Sequence, residues 1–285
     1  MQEERNDSSH AMFRGIILLG FFLLVFRLLV SGDIRYYIAP KMIPFSYVAL
    51  VILLALGVMQ LWRISAKNPD ELHCNCGFDH NPTRSPFQTF FIYALFVLPV
   101  LTGLWFPPAV LDSSIVVNRG IKYGAGLYAM PAEPTSNSMS AFSEEDLEEI
   151  DAMREAERDA LKAELVNSEK IIVDDERYLD IMSALIASPD LYSGKEIEII
   201  GFVYKEPEFD QNQLVIARFS VTCCIADAVV LGLLASADDH PNLKEDQWVK
   251  ATGHLSKTTF NGLHTPSLLI TEIEEIEQPE YPYVY

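Results

Sequence analysis

The sequence predicts a membrane-anchored α+β protein with three transmembrane helices, then an acidic helix and a small OB-like β-barrel domain. Three observations lead to this fold class. The first third of the chain holds three apolar runs, each close to the roughly 20 residues that span a bilayer. Residues 107–285 hold 33 Asp and Glu against 13 Lys and Arg, a net charge of −20, so this part is polar and acidic. Its C-terminal portion contains five short runs with the composition and spacing of β-strands.

The apolar runs place the membrane region at residues 1–114, and the three predicted spans are Met12–Val30, Ile43–Trp62 and Phe87–Phe106. The second and third spans contain no charged residue. The first carries Arg14 and Arg27 near its two ends, where long side chains can reach the polar interface. It lacks the small-x-small cleavage pattern of a secretory signal peptide, so we expect it to remain as a span.

Residues 115–168 are predicted to form a linker and a charged helix. Asn118–Ser140 is rich in Gly, Pro, Ser and Ala, which is typical of a linker. Ser143–Leu165 begins with an N-cap residue and an acidic first turn, and it carries apolar residues at helical spacing. Its charge density favours an exposed stalk helix.

Residues 169–285 are predicted to form the OB-like β domain. A strand at Lys170–Val173 and a helix at Asp174–Ala187 come first. Turn signals then separate five β-rich runs, which are Glu196–Tyr204, Gln213–Cys223, Ala228–Ala235, Trp248–Ser256 and Ser267–Ile276. Five strands in so short a segment fit a small closed barrel of the OB type, and a small open sandwich is the alternative.

The loop between the second and third spans contains HCNCGFDH at positions 73–80. Thiolate and imidazole are good ligands for zinc and for related soft or borderline metals. Gly77 permits the backbone turn that a Cys-x-Cys pair needs in order to bind one ion. We therefore expect metal ligands in this loop, with an ordinary polar loop as the alternative. The candidate ligands are His73, Cys74, Cys76 and His80.

A second candidate metal site lies in TCCIADA at positions 222–228. In an extended strand Cys223 and Cys224 point to opposite faces, so we expect one in the barrel core and the other beside Asp227, in a metal or redox site. Core packing without a ligand is the alternative. The Asp227 carboxylate should raise the pKa of an adjacent thiol, and Arg218 is the nearest cation in the sequence, which argues against a reactive redox thiol.

Five motifs carry a family resemblance, and they are HCNCGFDH at 73–80, FPPAVLDSS at 106–114, GFVY at 201–204, RFSVTCCIADA at 218–228 and PYVY at 282–285. From about Met12 to Tyr285 the chain resembles the YcgQ-like family of permease subunits. The resemblance implies pairing with a multi-spanning permease of the YraQ type, a group that includes relatives implicated in metalloid efflux. Some family members are associated with zinc homeostasis, which agrees with the metal-ligand hypothesis. The resemblance supplies no catalytic residue.

Together these features predict an accessory subunit of a membrane permease that transports a metal such as zinc or a related small solute. Three spans are too few for a transporter built from inverted repeats, so a multi-spanning partner is expected. We expect no enzymatic activity, because the sequence has neither a glycine-rich phosphate loop nor a hydrolase nucleophile motif. A membrane-anchored metal or redox sensor and an assembly factor are the alternatives.

We expect a multi-pass protein of the cell membrane, with the lipid bilayer around its spans. Three spans place the N-terminus and the acidic domain on opposite sides. The basic residues of the N-terminal flank and the second loop are interpreted as favouring a cytoplasmic N-terminus and an extracytoplasmic acidic domain. The strong negative charge of that domain excludes nucleic acid as a partner.

Overall fold

The chain forms two compact units, Met1–Ala109 and Val110–Tyr285, in a computed structural model. The structure describes residues 2–65, 86–108, 110–114, 121–122, 144–206, 209–210, 212–237, 243–260 and 263–285. The Cys/His loop at 73–80 lies outside the described residues.

The described residues of the first unit form three long helices, which are α1 (Gln2–Ser31), α2 (Ile43–Ser65) and α3 (Pro86–Trp105). Two short 3-10 turns, Asp33–Tyr36 and Pro40–Met42, connect α1 to α2. Within the part of the chain that the structure describes, three stretches are long and apolar enough to cross a membrane, and they are Met12–Ser31, Pro40–Trp62 and Phe87–Trp105. The prediction of three transmembrane helices is confirmed, and no predicted end differs by more than three residues.

Helix α1 lies at the centre of this unit, because it packs against both α2 and α3, which make at most slight contact with each other. The contact with α2 is close. A Cβ atom added to Gly57 of α2 would lie 2.8 Å from Cδ2 of Leu19 in α1, so the small residue allows the two helices to approach. Arg27 of α1 donates hydrogen bonds to the carbonyls of Gly103 and Leu104 at the end of α3, where the helix dipole favours a cation.

The second unit contains three helices among its described residues, which are α4 (Glu144–Asn167), α5 (Tyr178–Ala187) and α6 (Pro189–Tyr192). The same described residues form eight strands, which are β1 (Ile121–Lys122), β2 (Lys170–Val173), β3 (Glu196–Tyr204), β4 (Gln213–Ser220), β5 (Val229–Ser236), β6 (Trp248–Phe260), β7 (Leu263–Glu275) and β8 (Tyr283–Val284). Helix α4 confirms the predicted acidic helix. Its middle part is exposed, while Leu165 near its C-terminal end is buried against the domain core.

Five strands close into a mixed barrel in the order β3-β4-β5-β7-β6 and back to β3. Only the β5–β7 contact is parallel within this ring, and the other four contacts are antiparallel. The predicted small OB-like barrel is therefore confirmed, and the open sandwich is excluded. The β-strands follow the predicted runs closely, with the largest differences at the ends of β4, β6 and β7.

Three short strands complete edges that the barrel strands leave unpaired, which reduces the exposed backbone groups of the sheet. Strand β2 pairs with the first half of β3, while β4 pairs with its second half. In the same way β1 pairs with β5 at Val230 and Leu231, ahead of the residues that pair with β7. Strand β8 pairs with the last two residues of β4.

The barrel core is apolar and extends to helix α5. Tyr178, Ile181, Met182 and Leu185 recur at helical spacing, and each is at most 1% exposed. They join the inward residues of the barrel strands in one hydrophobic cluster. The predicted helix at Asp174–Ala187 begins four residues later than expected, because the Asp174 carboxylate accepts the N–H of Arg177 and forms a turn before the helix starts.

Candidate functional site

The structure brings together three of the seven predicted metal ligands. Cys223, Cys224 and Asp227 form a cluster in which one possible ligand atom from each residue lies within 4.8 Å of the others. The remaining four, which are His73, Cys74, Cys76 and His80, lie outside the described residues, so their hypothesis stays a prediction. The cluster between β4 and β5 is therefore the candidate site.

The site forms where β4 ends earlier than the sequence predicts. The strand was expected to continue to Cys223, but it ends at Ser220. The next residue, Val221, donates its N–H to the carbonyl of Val284 in β8, 3.0 Å away. The chain then leaves the sheet, and a short 3-10 turn at Ile225–Asp227 returns it toward β5. Residues 222–227 are therefore a loop and not an extension of the strand.

The carboxylate of Asp227 organises this loop. Its Oδ1 accepts the backbone N–H of Thr222 at 3.0 Å. Its Oδ2 accepts the N–H of Cys223 at 2.7 Å and that of Cys224 at 3.4 Å. One side chain thus satisfies three successive backbone donors, which is the role of an acidic residue in a capping turn. The loop is held in shape by hydrogen bonds from within its own sequence.

This turn places both thiols on the same side of the loop, with Sγ of Cys223 3.6 Å from Sγ of Cys224. Cys223 is exposed and Cys224 is half-buried. The expectation that one of them would lie in the barrel core is therefore wrong. It assumed the alternating side-chain directions of an extended strand, and the capping turn at Asp227 replaces that geometry.

The electrostatics of the loop match the expectation from sequence. The Asp227 carboxylate, with a smaller contribution from Cys224, raises the pKa of the Cys223 thiol to about 11. Partial burial acts to raise the pKa of Asp227, but hydrogen bonds from the Cys223 thiol and from three backbone N–H groups outweigh it, and the pKa is lowered. At neutral pH Cys223 is thus a protonated thiol beside an ionised carboxylate, which disfavours a role as a redox nucleophile.

The donor set fits a soft or borderline cation. Two sulfurs bound to one tetrahedral zinc at about 2.3 Å lie about 3.8 Å apart, and the observed separation is 3.6 Å. Little movement is needed for both thiols to reach the same ion once their protons are lost. Asp227 adds an oxygen donor of the kind that completes many zinc sites. Cys223, Cys224 and Asp227 would thus supply three ligands.

Sequence reasoning missed the environment of Arg218, the first residue of the RFSVT segment at 218–222. Its side chain is fully buried, and its Nε donates to the carbonyl of Pro282 at 3.2 Å. The guanidinium lies 5.2 Å from the ring centre of Trp248 and 6.0 Å from that of Tyr178. Nη1 lies 2.8 Å from a carboxylate oxygen of Asp175, although without hydrogen-bond geometry. Strand alternation offered the signal, since Arg218 shares a face with the core residue Ile216.

The segment after α3 also docks onto the barrel. The N–H of Leu111 donates to the hydroxyl of Tyr283 at 3.0 Å. The N–H and Oγ of Ser113 donate to the two carboxylate oxygens of Asp246, at 2.8 and 2.7 Å. Asp246 has a left-handed φ of 62°, and its own N–H donates to Val203. Leu111 and Ser113 of the FPPAVLDSS motif thus lie close to residues of the GFVY and PYVY motifs within the second unit.

Comparison with known proteins places the chain in a family. A profile described as the DUF1980 N-terminal domain matches residues 13–122, and one described as the DUF1980 C-terminal domain matches residues 150–285. The UPF0703 protein YcgQ of Bacillus subtilis (strain 168) is 29% identical over 96% of this chain and 99% of its own length. A Streptococcus mutans serotype c protein named "Putative two-component membrane permease complex subunit" is 27% identical, with the same two coverages. Both halves match in order along nearly the whole chain, so this protein belongs to the DUF1980 family, as its resemblance to YcgQ-like proteins indicated.

Proposed function

We propose that this protein is a non-enzymatic accessory subunit of a two-component membrane permease. The observation that carries the proposal is that one chain combines three candidate spans with a barrel domain that bears a cluster of possible metal ligands. The name of the Streptococcus mutans relative supports it, because the two chains align over almost their full lengths. Transport itself is assigned to a multi-spanning partner of the YraQ type.

The packing of the spans supports the need for a partner. No more than 11% of each span's most apolar stretch is buried, so most of the apolar surface faces outward. Helix α1 separates α2 from α3, and three helices in this arrangement do not surround a path across the membrane. The outward faces are available to lipid and to helices of another subunit, as expected for an accessory chain.

The transported substance is proposed to be a metal such as zinc or a related small solute. Its support is the Cys223–Cys224–Asp227 cluster, whose sulfur donors favour such ions over Mg²⁺ and Ca²⁺. The Cys/His loop at 73–80 adds a second set of suitable donors in sequence. On the proposed topology the two sets face opposite sides of the membrane.

The proposed orientation has a cytoplasmic N-terminus and an extracytoplasmic barrel. The N-terminal side carries five basic residues, which are Arg5, Arg14, Arg63, Lys67 and Arg84. The other side carries four, which are Arg27, Arg35, Lys41 and Arg119. Lys122 is not counted with them because it lies in β1 of the barrel sheet.

In a Cys74→Ser/Cys76→Ser chain, a membrane-impermeant maleimide should label Cys223 or Cys224 on intact cells. Labelling only after the cells are opened would indicate the opposite orientation, with the barrel domain in the cytoplasm.

The partner itself gives the direct test of the proposed function. The tagged full-length chain, purified in mild detergent from its native membranes, should bring down one multi-spanning membrane protein in constant ratio. The physical reason is the outward apolar surface of the spans, which specific helix packing can cover. An unrelated tagged three-span protein at the same expression level is the control. Recovery of the chain alone, as a monodisperse monomer, would contradict the proposal that it is a permease subunit.

A membrane-anchored metal sensor is the second candidate, favoured by the surface position of the Cys223–Cys224–Asp227 cluster. A sensor would bind metal without a stable multi-spanning partner, so the same purification separates the two functions. The raised pKa of Cys223 weighs against the redox version of this candidate. An assembly factor would release its partner once the complex had formed, which a constant ratio in mature membranes would contradict.

A further inference from the structure

The shape of the candidate cation site is set by hydrogen bonds within the protein. Three hydrogen bonds from Thr222, Cys223 and Cys224 to the Asp227 carboxylate fix the loop. Strand β8 fixes its beginning through the bond from Val221 to Val284. The domain core lies elsewhere, in a cluster that contains no cysteine. The fold of the barrel therefore has no need of an ion at this loop.

Asp227 can bind a cation while it keeps its backbone hydrogen bonds. An ionised carboxylate offers about four acceptor positions. Asp227 accepts three backbone N–H groups, of which only that of Thr222 bonds to Oδ1, and it also accepts the Cys223 thiol. The thiol bond ends when Cys223 loses its proton to bind a metal, so the carboxylate can bind a cation without loss of the backbone hydrogen bonds that shape the loop. With the two sulfurs, this gives three protein ligands.

The site is also open. Structural zinc sites have four protein ligands, whereas sites that exchange a ligand keep three and leave one position to water or substrate. The described residues supply three ligands here, and both Cys223 and Asp227 reach solvent. A fourth ligand can thus approach from solvent. It can belong to a molecule that delivers the cation to the site or takes the cation from it.

We propose that Cys223, Cys224 and Asp227 form an open, exchangeable receiving site for a thiophilic divalent cation. This deepens the proposed function and rests on it for the role of the cation as cargo. Two of the three donor atoms are sulfur, so the site should bind hard ions such as Mg²⁺ and Ca²⁺ poorly. On binding, both thiols release their protons to solvent and their sulfurs bind the ion, with no change in oxidation state.

The test uses the full-length chain in detergent, with Cys74→Ser and Cys76→Ser so that only two of its four cysteines remain. Cd²⁺ is titrated into the reduced, metal-free protein, and thiolate-to-cadmium charge-transfer absorption is recorded. One Cd²⁺ should bind per chain, be displaced by Zn²⁺ and resist an excess of Mg²⁺ or Ca²⁺. Cys224→Ser should weaken binding at least a hundredfold, and Asp227→Asn about tenfold.

A matched control is Asp190→Asn, which removes an exposed carboxylate on α6 and should leave Cd²⁺ affinity unchanged. Thermal unfolding of the metal-free and Zn²⁺-loaded chains should differ only by the shift that ligand binding itself causes. The proposal is overturned if no thiolate absorption develops, if Cys224→Ser binds Cd²⁺ normally, or if metal removal unfolds the barrel. Cd²⁺ binding by a chain that purifies without a partner would support the metal site and contradict only the proposed role as a permease subunit.

Discussion

Replacing Gly253 with Ala is expected to destabilise the barrel domain by about 3 kcal/mol, near the upper end for overpacking of a well-packed interior. A Cβ at this position would lie 2.1 Å from the carbonyl oxygen of Leu269 and 2.9 Å from Cα of Ile270. Both are backbone atoms of β7, so no side-chain rotation can relieve the contact. Gly253 also follows the register shift between β6 and β7 at Thr252 and pairs with Ile197 of β3 on its other side. Relief therefore requires separation of barrel strands.

The measurement is denaturant or thermal unfolding of the purified full-length chain, followed by near-ultraviolet circular dichroism of the barrel aromatics. The control is His254→Ala at the next residue, whose exposed side chain should make the change worth no more than about 0.5 kcal/mol. If Gly253→Ala were as stable as the control, β6 and β7 could not approach each other as described.

The local elements of the fold could be predicted from the sequence because their signals are local. Strand β3 has the predicted bounds, since Glu196–Ile199 alternates polar and apolar residues and turn signals flank the strand. The four apolar residues of α5 identify its buried face for the same reason. The three spans follow from length and hydropathy alone.

Pairing between distant segments left no comparable signal. Strands β1 and β8 are two residues long, too short for a period of two to be recognised, and each exists because a barrel strand leaves an edge to fill. The end of β4 is likewise set by distant residues. Val221 donates a hydrogen bond to β8, and the Asp227 carboxylate accepts N–H groups from residues whose sequence predicts a strand.

The candidate site was predictable in composition but not in geometry. Cysteine beside cysteine, with Asp227 three residues after Cys224, indicated the candidate ligands and the sign of the thiol pKa shift. The sequence could not show that both sulfurs share a side, because that depends on the capping turn. Arg218 was missed for a different reason. A buried arginine needs partners from other segments, here Pro282 and Asp175, and their proximity is a property of the fold.

The second large effect is expected at the thiol of Cys223, where Asp227→Asn should speed alkylation at pH 8 by about tenfold. With a pKa of about 11, Cys223 holds on the order of a hundred times less thiolate at this pH than an ordinary cysteine. The higher basicity of that thiolate recovers roughly a tenfold gain in nucleophilicity, which leaves a net deficit of about tenfold. Asparagine removes the negative charge. Its side-chain oxygen can still accept the N–H groups of Cys223 and Cys224, while its amide nitrogen cannot accept that of Thr222.

The rate constant is followed with iodoacetamide on the full-length chain, and the modified residue is identified by peptide mass spectrometry. In the unchanged chain the rate should rise about tenfold per pH unit up to about pH 11, because deprotonation of Cys223 limits it. In Asp227→Asn the rise should end at lower pH. Asp190→Asn, which removes a carboxylate far along the sequence from the loop, should keep the original profile. If Asp227→Asn also kept it, the carboxylate would not control the thiol, and Asp227 would act only as the residue that shapes the turn.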